Sequence, residues 1–118
     1  MSKHNKIGVK GEQTAADFLL NKGYIILHRN WRSGNKEIDI IAAKEDMIVM
    51  VEIKTRSSAT FAFPEDSVTR KKQALLKAAA HAFMDAHPQY LNFRYDIISI
   101  LVSNDDIREI VHFEEAFY

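Results

Sequence analysis

Residues 36–55 read Lys36-Glu37-Ile38-Asp39-Ile40-Ile41-Ala42-Ala43-Lys44-Glu45-Asp46-Met47-Ile48-Val49-Met50-Val51-Glu52-Ile53-Lys54-Thr55. Two apolar runs flank the polar break Lys44-Glu45-Asp46, so the stretch predicts a hairpin of strands over 36–43 and 47–55. The second run is rich enough in β-branched residues to be a central strand. Charged side chains interrupt both runs. Asp39 is a poor strand former in an otherwise apolar segment, and alternation puts Glu37, Asp39 and Ile41 on one face with Ile38 and Ile40 on the other. Glu52 and Lys54 share a face with Met50, while Val49, Val51 and Ile53 face away. Both faces of a central strand are expected to be partly buried, so a carboxylate and an amine there need partners. The Glu52-Ile53-Lys54 triplet alone is weak, because eight Glu and ten Lys in 118 residues give roughly 0.7 such triplets by composition. Its placement carries more: it ends an apolar run and follows an acid on the preceding strand. Judged alone, Asp39 is better explained as the solvent side of a hairpin.

Upstream, Ala15, Ala16, Phe18, Leu19 and Leu20 give an apolar face at helical spacing, predicting a helix over 7–22 with Gly23 as its stop. Glu12 falls within about 60° of Gly8, Ala15, Ala16 and Leu19 on that helix, in the middle of the face that should meet the sheet. A lone carboxylate there needs a cation, or else sits at the helix start where the dipole favours it. Tyr24 to Arg32 predicts a first strand, and Ser33-Gly34-Asn35 a turn. Downstream, 56–65 has no periodicity and reads as a loop or a flap. A second helix is expected from about Asp66 to Ala86, with the stripe Val68, Leu75, Ala78, Ala79, Ala82, Phe83 and Ala86, ended by Pro88. Two strands follow, 93–102 and 107–113. The order αβββαββ implies an antiparallel meander of three strands, then a helical crossover to a parallel neighbour in a mixed α/β sheet.

The length of 118 residues fits a single domain, 1–118, and two would each lack a sufficient core. Zero cysteines exclude disulfides, thiolate zinc sites and thiol catalysis. The opening residues lead into no apolar signal core, and no apolar run reaches membrane-spanning length, so a cytoplasmic protein without membrane association is expected. The net charge of zero conceals a division: residues 1–80 carry 14 basic and 9 acidic side chains, and 81–118 carry 2 and 7. One region can therefore meet a polyanion and the other cannot.

Taken together, Asp39, Glu52 and Glu12 supply hard oxygen ligands, with the Ile53 carbonyl as a further one. Such ligands suit Mg²⁺ or Mn²⁺. Lys54 beside a metal-bound water would orient or help deprotonate the nucleophile and stabilise charge on a phosphate. Hydrolysis of a phosphodiester in a nucleic-acid backbone is the reaction these parts would serve. Thr55, Arg56 and Arg32 are candidates for phosphate contacts, and Trp31 for stacking or for the core. Lys72 shares a face with Val68 and Leu75, as a site-facing amine or a snorkelling surface lysine. Asp96, in mid-strand, reads as a structural hydrogen-bond partner rather than a ligand.

The chain resembles the YraN-type family of small bacterial proteins, which is assigned to the PD-(D/E)xK endonuclease-like fold. The resemblance runs through Gly8-Val9-Lys10-Gly11-Glu12, Asn30-Trp31-Arg32, Glu37-Ile38-Asp39-Ile40-Ile41, Val51-Glu52-Ile53-Lys54-Thr55-Arg56, Ser67-Val68-Thr69-Arg70, Arg94-Tyr95-Asp96-Ile97 and Glu115-Ala116-Phe117. It implies a restriction-endonuclease-like αβββαβ core, here with an extra C-terminal strand. It gives Asp39, Glu52 and Lys54 the three motif roles and matches Glu12 to the helical acid of similar junction resolvases. Lys72 and Gln73 match second-helix positions that face the site. Ile38 stands where the motif has proline. Two readings remain open: a metal-dependent nuclease for branched or damaged DNA, and a non-catalytic binding or scaffold module that keeps the fold. One small domain offers one site, so cutting two strands would call for a homodimer.

Overall fold

The computed structural model describes residues 3–57 and 68–118; of residues 3–9 it describes the backbone alone. The most apolar run forms the middle of the sheet. Strand β3 (Met47–Ser57) pairs antiparallel with β2 (Lys36–Lys44), which pairs antiparallel with β1 (Ile25–Ser33). On its other side β3 pairs parallel with β4 (Asn92–Ser103), and β5 (Asp106–Phe117) closes the sheet antiparallel to β4. The sheet order is thus β1-β2-β3-β4-β5. The order of elements is an αβββαβ core plus a C-terminal strand, with helix α1 (Lys3–Asn21) before the sheet and α2 (Arg70–Ala86) in the crossover.

Local chemistry sets the joints. Gly23 takes φ +90; its N–H reaches Leu20 O and the Tyr24 N–H reaches Leu19 O, each at 3.0 Å. That is the two-bond glycine stop in which Tyr24 and Leu19 also meet in the core. Gly34, with φ +62, turns β1 into β2. Asn104 and Asp105 both take positive φ between β4 and β5, as a two-residue hairpin that follows the sheet's twist requires. Thr69 caps α2, its hydroxyl accepting from the Lys72 N–H at 3.2 Å. The helix therefore starts at Arg70, later than the expected Asp66. The expected loop lies from residue 58 to 65 outside the described residues, as do Asp66 and Ser67.

Each helix covers one face of the sheet. Ala15, Ala16 and Leu19 of α1 pack on Ile40, Ala42, Val49, Val51, Ile98 and Ile100. Leu76, Ala79, Ala80 and Phe83 of α2 pack on Ile38, Ile41, Ile48, Met50 and Ile97. The buried face of α2 is rotated from the expected stripe: Leu76 is 3% exposed, and Leu75 46%. Trp31 sets its ring edge-on against Phe83, 5.4 Å between centroids, and belongs to the α2-side core. Ile38 and Ile40 fall in opposite cores, which overturns the regular alternation expected of β2. The strand changes face at Asp39. No helix among the described residues is long and apolar enough to cross a membrane.

The far end of the sheet is tied by ions. Asp96, fully buried on β4, takes both prongs of the Arg94 guanidinium at 2.8 Å, His112 Nε2 at 2.6 Å and the Glu115 N–H at 3.1 Å. Lys22 Nζ donates to His112 Nδ1 at 2.8 Å, which leaves Nε2 to carry the proton given to Asp96. Arg94 also donates to the Tyr24 hydroxyl at 2.6 Å. The network joins the end of α1 to β4 and β5, and Asp96 is the structural partner its sequence position suggests. Burial pushes the Asp96 carboxyl up, but the bonds from His112, Arg94 and the Glu115 N–H outweigh it and hold it below its ordinary 3.8. Its contribution to stability is thus complete above 3.8 and is lost as pH falls through the depressed value. Asp96→Ala takes the carboxylate from a half-buried guanidinium, from His112 and from the Glu115 N–H, and is expected to cost about 3 kcal/mol in urea unfolding at neutral pH. An unchanged midpoint would show the network to be dispensable.

Candidate functional site

The β2–β3 ladder ends at the partners Ile40 and Val51. Beyond them the strands diverge, and Asp39 fills the gap: its Oδ2 accepts from the Ile53 N–H at 2.8 Å. Within a strand the N–H and C=O of one residue point to the same neighbour, so the Ile53 carbonyl also faces this notch. Asp39 lines two adjoining clefts. One, of about 260 Å³, is bounded by Asn35, Lys36, Glu37, Asp39, Glu52, Lys72, Leu75 and Leu76. The other, of about 170 Å³, is bounded by Glu12, Asp39, Ile53 and Thr55. The acids and amines around the two clefts, Glu12, Asp39, Glu52, Lys54 and Lys72, come from α1, β2, β3 and α2, and Asp39 at the strand divergence is shared by both clefts.

Glu52 is buried, as a central-strand residue should be, and its Oε1 lies 2.9 Å from Lys72 Nζ. Asp39 and Glu52 share the larger cleft and repel each other. The Asp39 carboxyl is pushed up to about 7, by burial first and by the Glu52 charge second, against the pull of the Ile53 N–H. Lys54 is held below its ordinary value by burial, then by the bond to Lys72 and the positive charge of Lys72. Lys72 moves the other way. Burial would lower it, yet its bonds to Lys54 and Glu52 raise it. The pair therefore divides its protons unevenly: Lys72 keeps a full charge against Glu52, and Lys54 is the amine more ready to release or accept a proton.

Glu12 does meet a cation, as its place on the inner face of α1 demands. Its Oε1 accepts from Asn30 Nδ2 at 2.6 Å and from Arg29 Nε at 3.3 Å. Asn30 achieves this from a left-handed backbone, φ +53, which Asn tolerates better than most residues. Gly11 lets α1 approach β3 closely, since a Cβ there would lie 2.9 Å from Thr55 Oγ1. Among the described residues no three carboxylate or imidazole groups cluster tightly enough to hold a metal ion by themselves.

The remaining candidates divide. Thr55 is exposed beside the smaller cleft, and Arg56 is half-buried one residue further along β3. Arg32 is mostly exposed and pairs with Glu37 across the hairpin at 2.9 Å. Gln73 donates from Nε2 to the Val68 carbonyl at 3.1 Å, so its side chain holds the entry to α2 and does not line either cleft. Lys36, Asn35 and Leu75 line the larger cleft without having been singled out; a lysine next to Glu37 at a hairpin gives no sequence signal of its own. Arg29 and Asn30 were likewise invisible as partners of Glu12, because the left-handed turn at Asn30 has no marker such as glycine.

Asp39 also makes stability depend on pH. A carboxyl with a raised value holds its proton more firmly folded than unfolded. Stability should therefore fall as pH rises from 3.8 towards about 7, and level off above. Asp39→Asn keeps the acceptor for the Ile53 N–H and carries no charge. It is expected to lose this part of the slope and to unfold at higher urea than the parent at about pH 8. Parallel slopes for the two proteins would refute the burial of charge at this position.

The model of the uncharacterised protein family UPF0102 matches residues 11–100. A UPF0102 protein of Bacteroides thetaiotaomicron is 45% identical over 118 residues, covering all of this chain and 97% of that protein. One from Flavobacterium psychrophilum is 43% identical over 118 residues, covering 100% and 98%. A more distant one, from Chloroherpeton thalassium, is 38% identical over 125 residues, covering 99% and 97%. Similarity at this level over 99–100% of this chain and 97–98% of these relatives makes the chain a member of the UPF0102 family, the YraN-type family its sequence resembles.

Proposed function

We propose that the protein is a metal-dependent nuclease that hydrolyses phosphodiester bonds in DNA, with branched or damaged structures as substrates. The observation that carries this reading is the meeting of Asp39, Glu52 and Lys72 in one cleft, with Lys54 close enough to feel the charge of Lys72. The donor set fits a hard divalent ion: two carboxylates repelling each other in a confined space, with a backbone carbonyl turned towards them. Asp39, Glu52 and the Ile53 carbonyl would hold Mg²⁺ or Mn²⁺, with Glu12 at the edge of the adjoining cleft. Bound there, the ion would supply the positive charge that acidifies water and offsets charge on a phosphate.

The side chains would do the rest. Lys54, with its proton loosened by burial and by Lys72, would orient the attacking water and take up a proton. Lys72 would meet the charge developing on the phosphate oxygens. Thr55, Arg56 and Arg32 would contact the sugar–phosphate backbone to either side. The basic balance of residues 1–80 places the positive charge of the chain on the segment that builds the site.

One observation favours the second reading, a nucleic-acid-binding or scaffold module without catalysis. Glu12 is already held by Arg29 and Asn30, so the third carboxylate is engaged elsewhere. The two readings separate in one experiment. Branched, single-stranded and duplex DNA are incubated with the protein and Mg²⁺ or Mn²⁺. Cleavage is expected, falling by at least about a hundredfold in Asp39→Ala and Lys54→Ala. Cleavage that survives both substitutions would be contamination. DNA affinity indifferent to divalent metal and to Lys54→Ala, without cleavage, would establish the binding module instead.

A further inference from the structure

We infer that Lys72 is a built-in counter-cation, whose ammonium holds Glu52 in the place a divalent ion would take and must leave for that ion to bind. This rests on the proposed reading of the cleft as a metal site and concerns how that site is filled. The two partners differ in freedom. The Glu52 side chain is 9% exposed and fixed in the central strand, whereas Lys72 is 43% exposed and reaches in from α2. Their contact of 2.9 Å is a full ion pair at the mouth of a cleft that Asp39 also lines. A nearly buried carboxylate needs a positive partner, and here the protein supplies one from the side that opens to solvent.

A divalent ion on the same carboxylate would stand within a few ångströms of the ammonium, where like charges repel strongly in a partly buried site. The two therefore exclude each other. Asp39 and Lys54 stay on their strands through the exchange, and the flexible four-carbon stem of Lys72 lets the ammonium swing to the cleft rim. There it would meet an incoming phosphate. Lys72 thus acts as a positioning residue for Glu52 when no ion is bound and as a phosphate ligand afterwards.

Manganese alone is the probe. Mn²⁺ is titrated into the full-length protein, Lys72→Met, Lys72→Arg and Asp39→Asn, with affinity read by calorimetry and by the free-ion paramagnetic signal. Lys72→Met is expected to bind at least about tenfold tighter, because the competing charge is gone. Lys72→Arg keeps that charge and should bind no tighter than the parent, and Asp39→Asn should lose the site. Melting gives a second readout: without Mn²⁺, Lys72→Met should melt below the parent, with Glu52 left unpaired, and Mn²⁺ should raise its Tm by more. Should Lys72→Met fail to fold, Lys72→Gln carries the same expectations. Asp39-dependent binding in the parent that neither substitution tightens would overturn the inference and leave the metal site standing. Absence of Asp39-dependent Mn²⁺ binding in every form would overturn the site itself and the inference with it.

Discussion

A single hydrogen bond organises the site: the Ile53 N–H gives itself to the Asp39 carboxylate at 2.8 Å, where the ladder would have offered a backbone carbonyl. Backbone donors inside a sheet must be satisfied, and the end of the β2–β3 pairing at Ile40 and Val51 leaves this one to a side chain. The same substitution turns β2 so that Ile38 and Ile40 enter opposite cores, and it opens a notch in which acids can face one another. A strand that continued its pairing would have put Asp39 on a face and closed the gap. The irregularity is therefore the condition for the site and not damage to the sheet.

Confinement of acids then imposes a second constraint. Each carboxylate in or beside the notch has a partner drawn from the chain: the Ile53 N–H for Asp39, Lys72 for Glu52, Arg29 with Asn30 for Glu12, and Arg32 for Glu37. Those partners come from β1, β3 and α2, so the arrangement of charge ties three elements around the divergence. The opposite end of the sheet solves the same problem differently. Asp96 is fully buried, and its four bonds from Arg94, His112 and the Glu115 N–H leave its oxygens saturated. The two carboxylates differ in their surroundings: saturation and a depressed value at Asp96, repulsion and a raised one at Asp39.

Element order, sheet handedness of pairing and most boundaries were legible because they follow from local rules. Gly23 stops α1, Gly34 and Asn104-Asp105 turn hairpins, and a helix between β3 and β4 makes their pairing parallel. What escaped was set by tertiary packing. Leu75 and Leu76 are adjacent and equally apolar, and only the seating of α2 over Ile41 and Met50 decides which is buried. The start of α2 moved to Thr69 because its hydroxyl caps the helix there, a choice that Ser67 two residues earlier offers equally well on paper. The meeting of Asp39 and Glu52 follows from acids that break the apolar pattern, whereas for Lys72 the sequence leaves a site-facing amine and a snorkelling surface lysine both open. The hold of Arg29 and Asn30 on Glu12 was not, since nothing in β1 marks Asn30 as left-handed.

Why the acids and amines of the cleft come in near balance follows from its place in the fold. Two carboxylates alone at the end of a central strand would drive β2 and β3 further apart, beyond what one backbone hydrogen bond could resist. Lys54 on the same strand and Lys72 on α2 offset that repulsion, but they also repel each other, which is why one amine is raised and its neighbour lowered. Glu37 and Lys36 line the same cleft, so with Lys54 the acids and the amines number three each, and any added charge displaces that balance. A site built of acids alone would favour cations at the expense of the sheet, and the Lys72–Glu52 pair offsets that repulsion from the exposed side. The balance thus connects the integrity of the central strand to the capacity of the cleft to respond, through the side chain that is anchored least.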